Sequence, residues 1–462
     1  MFLTPPSPRP GQTVPFQILE LAPKGLGRSL HNGRPFFVRG ALPGETGTAR
    51  VVRVRRGEVE AVLETLQTVS PARVEPRCSH FGACGGCDLQ HLNHRGQMDW
   101  KRGFLDRILR REAGLADLPE IPVVHLEEPW RYRNKLELTF SQEGGRVILG
   151  FHRRGSFQRV VEIEDCPIGP PGIGRLLREI RAGVAPLELP PYDPKRHTGF
   201  WRFAVVRYSR QMDGFLLMII TTAGERAPLD RLAEHLFSKL PDLRGLLWGI
   251  SDSLADAAQA SEIIPIRGAE RLTDQVGAVR FELGPTCFVQ PNLMLADRVY
   301  RAITEAAGLS GRQEVYDLYS GIGLIGLALA PDSARVISVE SEPENVLFAR
   351  RNAVLSGVKN ALFIEGKVED LLKGGTLFRE SAGPAVVVLD PPRAGLHGEV
   401  PAPLLAARPD RIVYLSCNPM SLARDLKVIR LRDPDLNLSA LRLFDFFPQT
   451  SHMEVLAVLT RS

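Results

Sequence analysis

The chain has 462 residues, long for a single hydrophobic core, so two or three domains are expected. With 44% hydrophobic and 24% charged residues, it reads as globular rather than disordered or fibrous. Net charge is only +5, yet residues 1–77 hold 11 Lys/Arg against 6 Asp/Glu, so the whole surplus lies at that end. A basic end on a near-neutral body suits a polyanion such as nucleic acid, or is simply a solvated basic face. The opening MFLTPPSPRPGQ lacks the apolar core of a signal peptide, and the run at 215–220 is too short to cross a bilayer. No membrane is expected and the cytoplasm is the default location. There, cysteine clusters point to metal or catalysis rather than disulfides.

After the Pro-rich tail, residues 12–68 alternate short β-like runs with Gly/Pro turns, which suggests a small antiparallel barrel. Its run RVVRVRRG would place arginines on alternate faces of a strand. Residues 71–91 carry three cysteines in a Gly-rich loop, and an amphipathic stretch over 98–112 predicts a helix. Between 130 and 285, strands are expected at 136–140, 147–152, 203–208 and 215–221, and a helix at 229–240; their order in a sheet is not legible. From about 286 the pattern becomes regular. Strands at 314–319, 335–340, 361–366, 385–390 and 411–416 recur with helical stretches between most of them, which implies a parallel, doubly wound sheet. Two further strands, 441–447 and 453–460, stand too close for a crossover helix and must pair antiparallel. A parallel sheet ending in such a hairpin is unlike a dinucleotide-binding dehydrogenase and resembles the S-adenosylmethionine-dependent methyltransferase fold.

Ligands of open α/β sheets bind beyond the carboxyl ends of the strands. Four groups fall there. The loop DLYSGIG over 317–323 follows the first strand, and its glycines permit close backbone approach. Glu340 closes the second strand, where an acid can bind ribose hydroxyls. Asp390 ends the fourth in VLDPPRAG, with two prolines stiffening the loop behind it; a helix cap is its plain alternative. Cys417 follows the fifth strand in VYLSCNPMSLARDL, with Asn418 as the expected N-cap and Pro419 as the first helical residue. Beside a helix N-terminus its thiolate is expected to be favoured, although an inert core cysteine is the commoner fate. Glu454 begins the last strand. Because that strand runs antiparallel, Glu454 and Cys417 can face one cavity although 37 residues separate them. A thiol nucleophile and a carboxylate base beside a methyl-donor pocket suit methylation of carbon 5 of a pyrimidine: the thiolate adds at C6, C5 attacks the methyl group, and the base removes the C5 proton.

These motifs together resemble the RNA uracil-5-methyltransferase family, in particular its iron–sulfur 23S ribosomal RNA branch, over nearly the whole chain. FVQPN over 288–292 resembles the family's F-x-Q-x-N segment, which implies that Phe288 stacks on a flipped base and that Gln290 contacts S-adenosyl-L-methionine. The match of 317–323 implies Tyr319 and Gly321 at the cofactor and Glu340 on its ribose. Asp390 matches the acid of D-P-P-R, SCNP the nucleophile motif at Cys417, and FPQTSHME the base motif at Glu454. Ser320 stands where many relatives have Cys, and Lys367 where they usually carry Asp or Asn. The resemblance implies a Rossmann-like methyltransferase domain over 286–462 and an OB-like TRAM barrel for RNA over 12–70. Between them, 71–285 would be a central α+β iron–sulfur domain, its segment 92–125 packing on the catalytic part.

Cys78, Cys84 and Cys87 form C-x5-C-x2-C, and Cys166 precedes Pro167 far downstream. Four such thiolates suit a tetrahedral soft-metal site, and spacing alone leaves zinc and a four-iron cluster open, with His91 and His94 keeping zinc in play. Cys-Pro at the fourth position and the family match favour [4Fe–4S] in a structural role. Cys287 is expected to be a buried packing residue. Structured RNA, most simply 23S rRNA acted on by a monomer, is the expected partner. The rival readings are transfer RNA as substrate, an exocyclic-amine methyltransferase using the Asp390-Pro-Pro loop, and a non-catalytic RNA-binding protein.

Overall fold

The computed structural model describes residues 8–156, 158–375, 377–378 and 385–461, so the first seven residues of the Pro-rich tail lie outside it. The chain divides into two compact units. One comprises Met1–Gly103, Arg153–Phe157 and Phe447–His452; the other comprises Phe104–His152, Gln158–Phe446 and Met453–Ser462.

The first unit contains a six-stranded sheet built from Thr13–Gln17, Glu20–Ala22, Leu26–His31, Arg34–Arg39, Thr46–Arg55 and Glu58–Thr68. Alternate residues point inward: Val14, Phe16, Phe36, Val38, Ala49, Val51, Val59 and Ala61 form its core. The expected alternation of arginines is interrupted. The register against Glu58–Thr68 shifts between Val51 and Arg53, and this irregularity leaves Arg50 and Arg53 both on the exposed side. Each meets an acid of the neighbouring strand, Arg50 with Glu64 at 3.3 Å and Arg53 with Glu60 at 2.5 Å. Part of the basic surplus is thus ion-paired across strands. Phe447–His452 is tied into this unit: the Asp88 carboxylate accepts from Ser451 N and Oγ, both at 2.8 Å, and Gln449 N donates to Gln97 Oε1 at 2.9 Å. The helix expected at 98–112 starts earlier and spans His94–Glu112.

The second unit carries a seven-stranded sheet in the order Val160–Glu162, Arg146–His152, Lys135–Glu143, Trp201–Ser209, Gly214–Thr221, Leu243–Ile250, Glu262–Gly268. Only Gly214–Thr221 and Leu243–Ile250 pair in parallel. Trp201–Ser209 and Gly214–Thr221 are buried along their whole length, so period-2 alternation is absent, and the first of them buries Arg202 and Arg207 along with its apolar residues.

The same unit holds an eight-stranded sheet. Its main strands are β1 (Glu314–Leu318), β2 (Arg335–Glu340), β3 (Ala361–Glu365), β4 (Ala385–Leu389), β5 (Arg411–Ser416), β6 (Leu436–Phe444) and β7 (Glu454–Arg461). Their spatial order is 3-2-1-4-5-7-6, with β1 to β5 parallel and β7 antiparallel to both neighbours. The expected antiparallel hairpin is therefore present, although β6 begins and ends earlier than expected. An edge strand that sequence patterning does not reveal, Val123–Val124, joins β6 in parallel. Two residues carry too little periodicity to register. Among the described residues no helix is long and apolar enough to cross a membrane.

Candidate active site

The last inter-strand pair between β5 and β7 is Ser416 with Val455. One step further out, the next residue on β5's side is Cys417, and on β7 it is Glu454. Two residues 37 apart in sequence are therefore cross-strand neighbours at one sheet edge. Sequence polarity placed them at that edge, and the register brings them side by side. Cys417 is half-buried, and Glu454 is only 3% exposed, with its Oε2 lacking a hydrogen-bond partner among the described residues.

The helix after Cys417 forms as expected. It spans Pro419–Arg432, and Asn418 Oδ1 caps it by accepting from Met420 N at 3.1 Å. The expected favoured thiolate is overturned. Burial, then the charges of Glu454 and Asp390, push the Cys417 thiol up to about 12, with Arg393 opposing. The Asn418 side chain already occupies one of the free helix N–H groups, and two carboxylates outweigh what remains of the dipole.

Asp390 is half-buried and Glu454 buried, and both are themselves raised. Asp390 is pushed up to about 7 by burial and by the charge of Asp317; Glu454 is raised by burial and by Asp390, with Arg393 again opposing. Arg393, third in the turn after Asp390, thus acts on both the thiol and the acid opposite it. Sequence reasoning treated it only as part of a motif. Asn418 Nδ2 donates to Arg393 O at 2.9 Å, which ties the two loops together. A second tie was also missed: Asp425 Oδ2 accepts from Tyr414 OH at 2.7 Å and from Leu396 N at 2.9 Å. Gly395, at φ +81°, is required here, because a Cβ would lie 2.4 Å from Asp425 Oδ2.

The loop after β1 is equally constrained. Asp317 is fully buried and accepts from Gly326 N at 2.9 Å, and burial pushes it up to about 7. Gly326 permits this approach, since a Cβ there would sit 2.8 Å from Asp317 Oδ2. Tyr319 takes the left-handed conformation at φ 67°, unusual for an aromatic residue and a mark of strain at functional loops. Glu340 Oε2 accepts from Gly321 N at 2.9 Å, so the expected ribose acid and the expected glycine are in contact. Among the described residues, the buried Asp317 Oδ1, Tyr319 OH and Ser320 Oγ have no hydrogen-bond partner. Each orphan costs roughly 1–3 kcal/mol unless a polar ligand or water meets it, so this edge fits a polar adenosyl ligand. Gln290 Nε2 lies 3.5 Å from Asp390 Oδ2, joining two more of the expected cofactor residues. Phe288 is 63% exposed, and Lys367 is exposed. Cys287 is buried, and its thiol is pushed up to about 11 by burial, as a packing residue would be.

The other cysteines are distributed differently. Cys78, Cys84 and Cys87 belong to the first unit and Cys166 to the second, and all four are half-buried. Cys84 Sγ accepts from Gly86 N at 3.4 Å. His91 is buried, and among the described residues neither ring nitrogen has a hydrogen-bond partner. Among the described residues no three His, Cys, Asp or Glu side chains form a group able to hold a metal ion, so the expected cluster rests on sequence spacing and resemblance.

Comparison with known proteins bears on the family and the fold. Residues 269–462 match the family model described as tRNA (Uracil-5-)-methyltransferase. The chain is 33% identical over 455 residues to an uncharacterized RNA methyltransferase of Caldanaerobacter subterraneus subsp. tengcongensis, covering 98% of this chain and 99% of that one. It is 34% identical over 457 residues to an uncharacterized RNA methyltransferase of Nitratidesulfovibrio vulgaris, covering 97% and 96%. Among solved structures it is similar to the Pyrococcus abyssi tRNA (uracil-54, C5)-methyltransferase in complex with S-adenosyl-L-homocysteine. That likeness has a TM-score of 0.76 and 26% identity, over 97% of this chain and all of the other.

Proposed function

This chain belongs to the tRNA (uracil-5-)-methyltransferase family of S-adenosylmethionine-dependent RNA methyltransferases, and on that premise we propose that it methylates C5 of a uridine in structured RNA through Cys417 and Glu454. The observation that carries the reading is the β5–β7 register, with a thiol and a buried carboxylate, its Oε2 without a hydrogen-bond partner among the described residues, one step beyond Ser416 and Val455. S-adenosylmethionine supplies an electrophilic methyl group when bound, with Gln290, Tyr319, Gly321, Glu340 and Asp390 as its binding residues.

The Cys417 thiol loses its proton to solvent, the thiolate Sγ adds to C6 of the uracil, and the electron pair moves to C5 and O4. C5 then takes the methyl group, and S-adenosylhomocysteine leaves. Glu454 removes the C5 proton, the Sγ–C6 bond breaks, and the double bond returns with the thiolate released. Burial raises the Glu454 carboxyl, which makes its ionised form a stronger base. Phe288, exposed beside the site, is suited to stack on a base turned out of the RNA, because C5 and C6 are unreachable within a stack. Methylation of RNA carrying [5-³H]uridine tests the reaction class. C5 methylation releases the tritium to water, and amine methylation retains it.

For the substrate we propose 23S rRNA, a reading supported by the sequence resemblance. Transfer RNA is the second reading, favoured by the tRNA-specific Pyrococcus abyssi neighbour. Mapping 5-methyluridine in RNA from cells with and without the protein separates them. The proposed organisation places an RNA-binding barrel at 12–70 and a central domain at 71–285 before the catalytic domain at 286–462. A structural [4Fe–4S] cluster on Cys78, Cys84, Cys87 and Cys166 is supported by the C-x5-C-x2-C and Cys-Pro spacing. Iron and sulfide analysis with an ultraviolet–visible spectrum of anaerobically purified protein decides it against zinc.

A further inference from the structure

Arg207 lies on the strand Trp201–Ser209 of the seven-stranded sheet, and it is one of the largest fully buried side chains. Among the described residues it has no ion pair, and its Nη1 has no hydrogen-bond partner. A cation in such a place costs several kcal/mol unless something specific holds it. Burial pushes even this guanidinium down to about 10.

What holds it is the backbone of the segment that carries Phe288. Nε donates to Pro285 O at 3.3 Å, and Nη2 donates to Cys287 O. The chain bends at Pro285 and Thr286, and from the bend onward Thr286 and Phe288 are exposed while Cys287 and Val289 are buried. Both carbonyls face the buried side chain, so one planar guanidinium reaches both with its fork of donors. Lysine offers a point charge without that fork. Beyond Phe288 the same sheet makes a second tie: Asn134 Nδ2 donates to Gln290 O, and Asn134 N to Pro291 O, both at 3.0 Å. Thr286 Oγ1 donates to the Glu344 carboxylate at 2.9 Å. The backbone is thus fastened on both sides of one exposed aromatic ring, whose own side chain contributes little to holding it.

We propose that Arg207 is a positioning residue for the reaction: its fork, with Asn134, presets the 285–291 segment so that Phe288 stands ready for the turned-out base and Gln290 for the methyl donor. Ordering this loop in advance removes a conformational cost that base capture would otherwise carry. The inference rests on the proposed uridine methylation, and its test separates the two.

Two variants are compared with the wild type. Arg207→Lys retains the charge and loses the fork; Arg207→Ala opens a space that added methylguanidinium can fill. In Arg207→Lys, kcat is expected to fall about tenfold or more while KM for RNA and the affinity for S-adenosylmethionine change less than about threefold, since misplacement rather than binding is at issue. Methylguanidinium is expected to restore kcat in Arg207→Ala, which a general loss of packing would not allow. Amide exchange at 287–290 is expected to accelerate in Arg207→Lys while Trp201–Ser209 and β5 keep their protection. Wild-type kcat together with wild-type exchange at 287–290 overturns the role of Arg207. A wild-type protein that leaves C5 unmethylated overturns the function instead, and the exchange measurement still decides whether Arg207 fixes the loop.

Discussion

Cys417 is the residue on which the proposed chemistry turns, and its resting state can be tested without RNA. An ordinary thiol with a pKa of 9.0 is roughly one-tenth thiolate at pH 8; one pushed up to about 12 is about one part in ten thousand. The thousandfold loss of thiolate is partly offset, because a more basic thiolate is more nucleophilic. With a Brønsted slope of about 0.4–0.5, three units restore roughly 15- to 30-fold. Alkylation by iodoacetamide at pH 8 is therefore expected to run about 30- to 60-fold slower than for a small free thiol, before any steric hindrance. Its rate should keep rising tenfold per pH unit up to pH 10. The tryptic peptide 412–424 contains Cys417 and no other cysteine, so mass spectrometry follows this site alone. Glu454→Gln removes the second-largest cause of the shift, leaving burial in place. Its rate at pH 8 should rise, with an inflection that still lies above 9. A plateau in the wild-type rate between pH 7 and 9 would refute the electrostatic reading and return Cys417 to a thiolate stabilised by the helix.

Cys417→Ala should abolish methyl transfer and retain RNA binding by gel shift; normal methylation by this variant sinks the mechanism. Glu454→Gln should accumulate a covalent RNA–protein species that survives denaturing electrophoresis, since proton removal precedes release, whereas full turnover without any adduct excludes Glu454 as the base. Asp317 and Asp390, raised from 3.8 to about 7, bind protons in the folded state that the unfolded chain has already lost between pH 4 and 7. Stability without ligands should therefore fall as pH rises through that window, by up to about 1.4 kcal/mol per unit per group, less the opposing rise from His91, whose imidazole burial holds down at about 4. Asp317→Asn should flatten the slope in thermal melts, and a melting temperature that climbs from pH 5 to 7 contradicts the assignment. Asn418→Ala removes the cap of Pro419–Arg432 and the tie to Arg393 O, and should cost about 1 kcal/mol in urea denaturation, while an unchanged midpoint would show the cap to be idle.

The sequence by itself determined much of the catalytic half. Parallel strands buried on both faces are apolar runs bounded by turn residues, so β2 and β5 were legible to the residue, and the short interval before the last strand required an antiparallel partner for β6. Chain polarity then placed Glu340, Asp390, Cys417 and Glu454 at one edge. Asn418 and Pro419 announced their helix because capping is local chemistry.

Only the tertiary structure decided what depends on neighbours distant in sequence. The seven-stranded sheet was illegible because its order follows from pairings such as Lys135–Glu143 with Trp201–Ser209, about sixty residues apart, which leave no local mark. The thiol at Cys417 changed sign for the same reason: helix N-terminus and proline are written beside it, whereas Glu454, Asp390 and burial reach it only through the fold. Arg207 in sequence is one arginine in an apolar run. Its purpose lies in two carbonyls about eighty residues further on, and no periodicity carries that information.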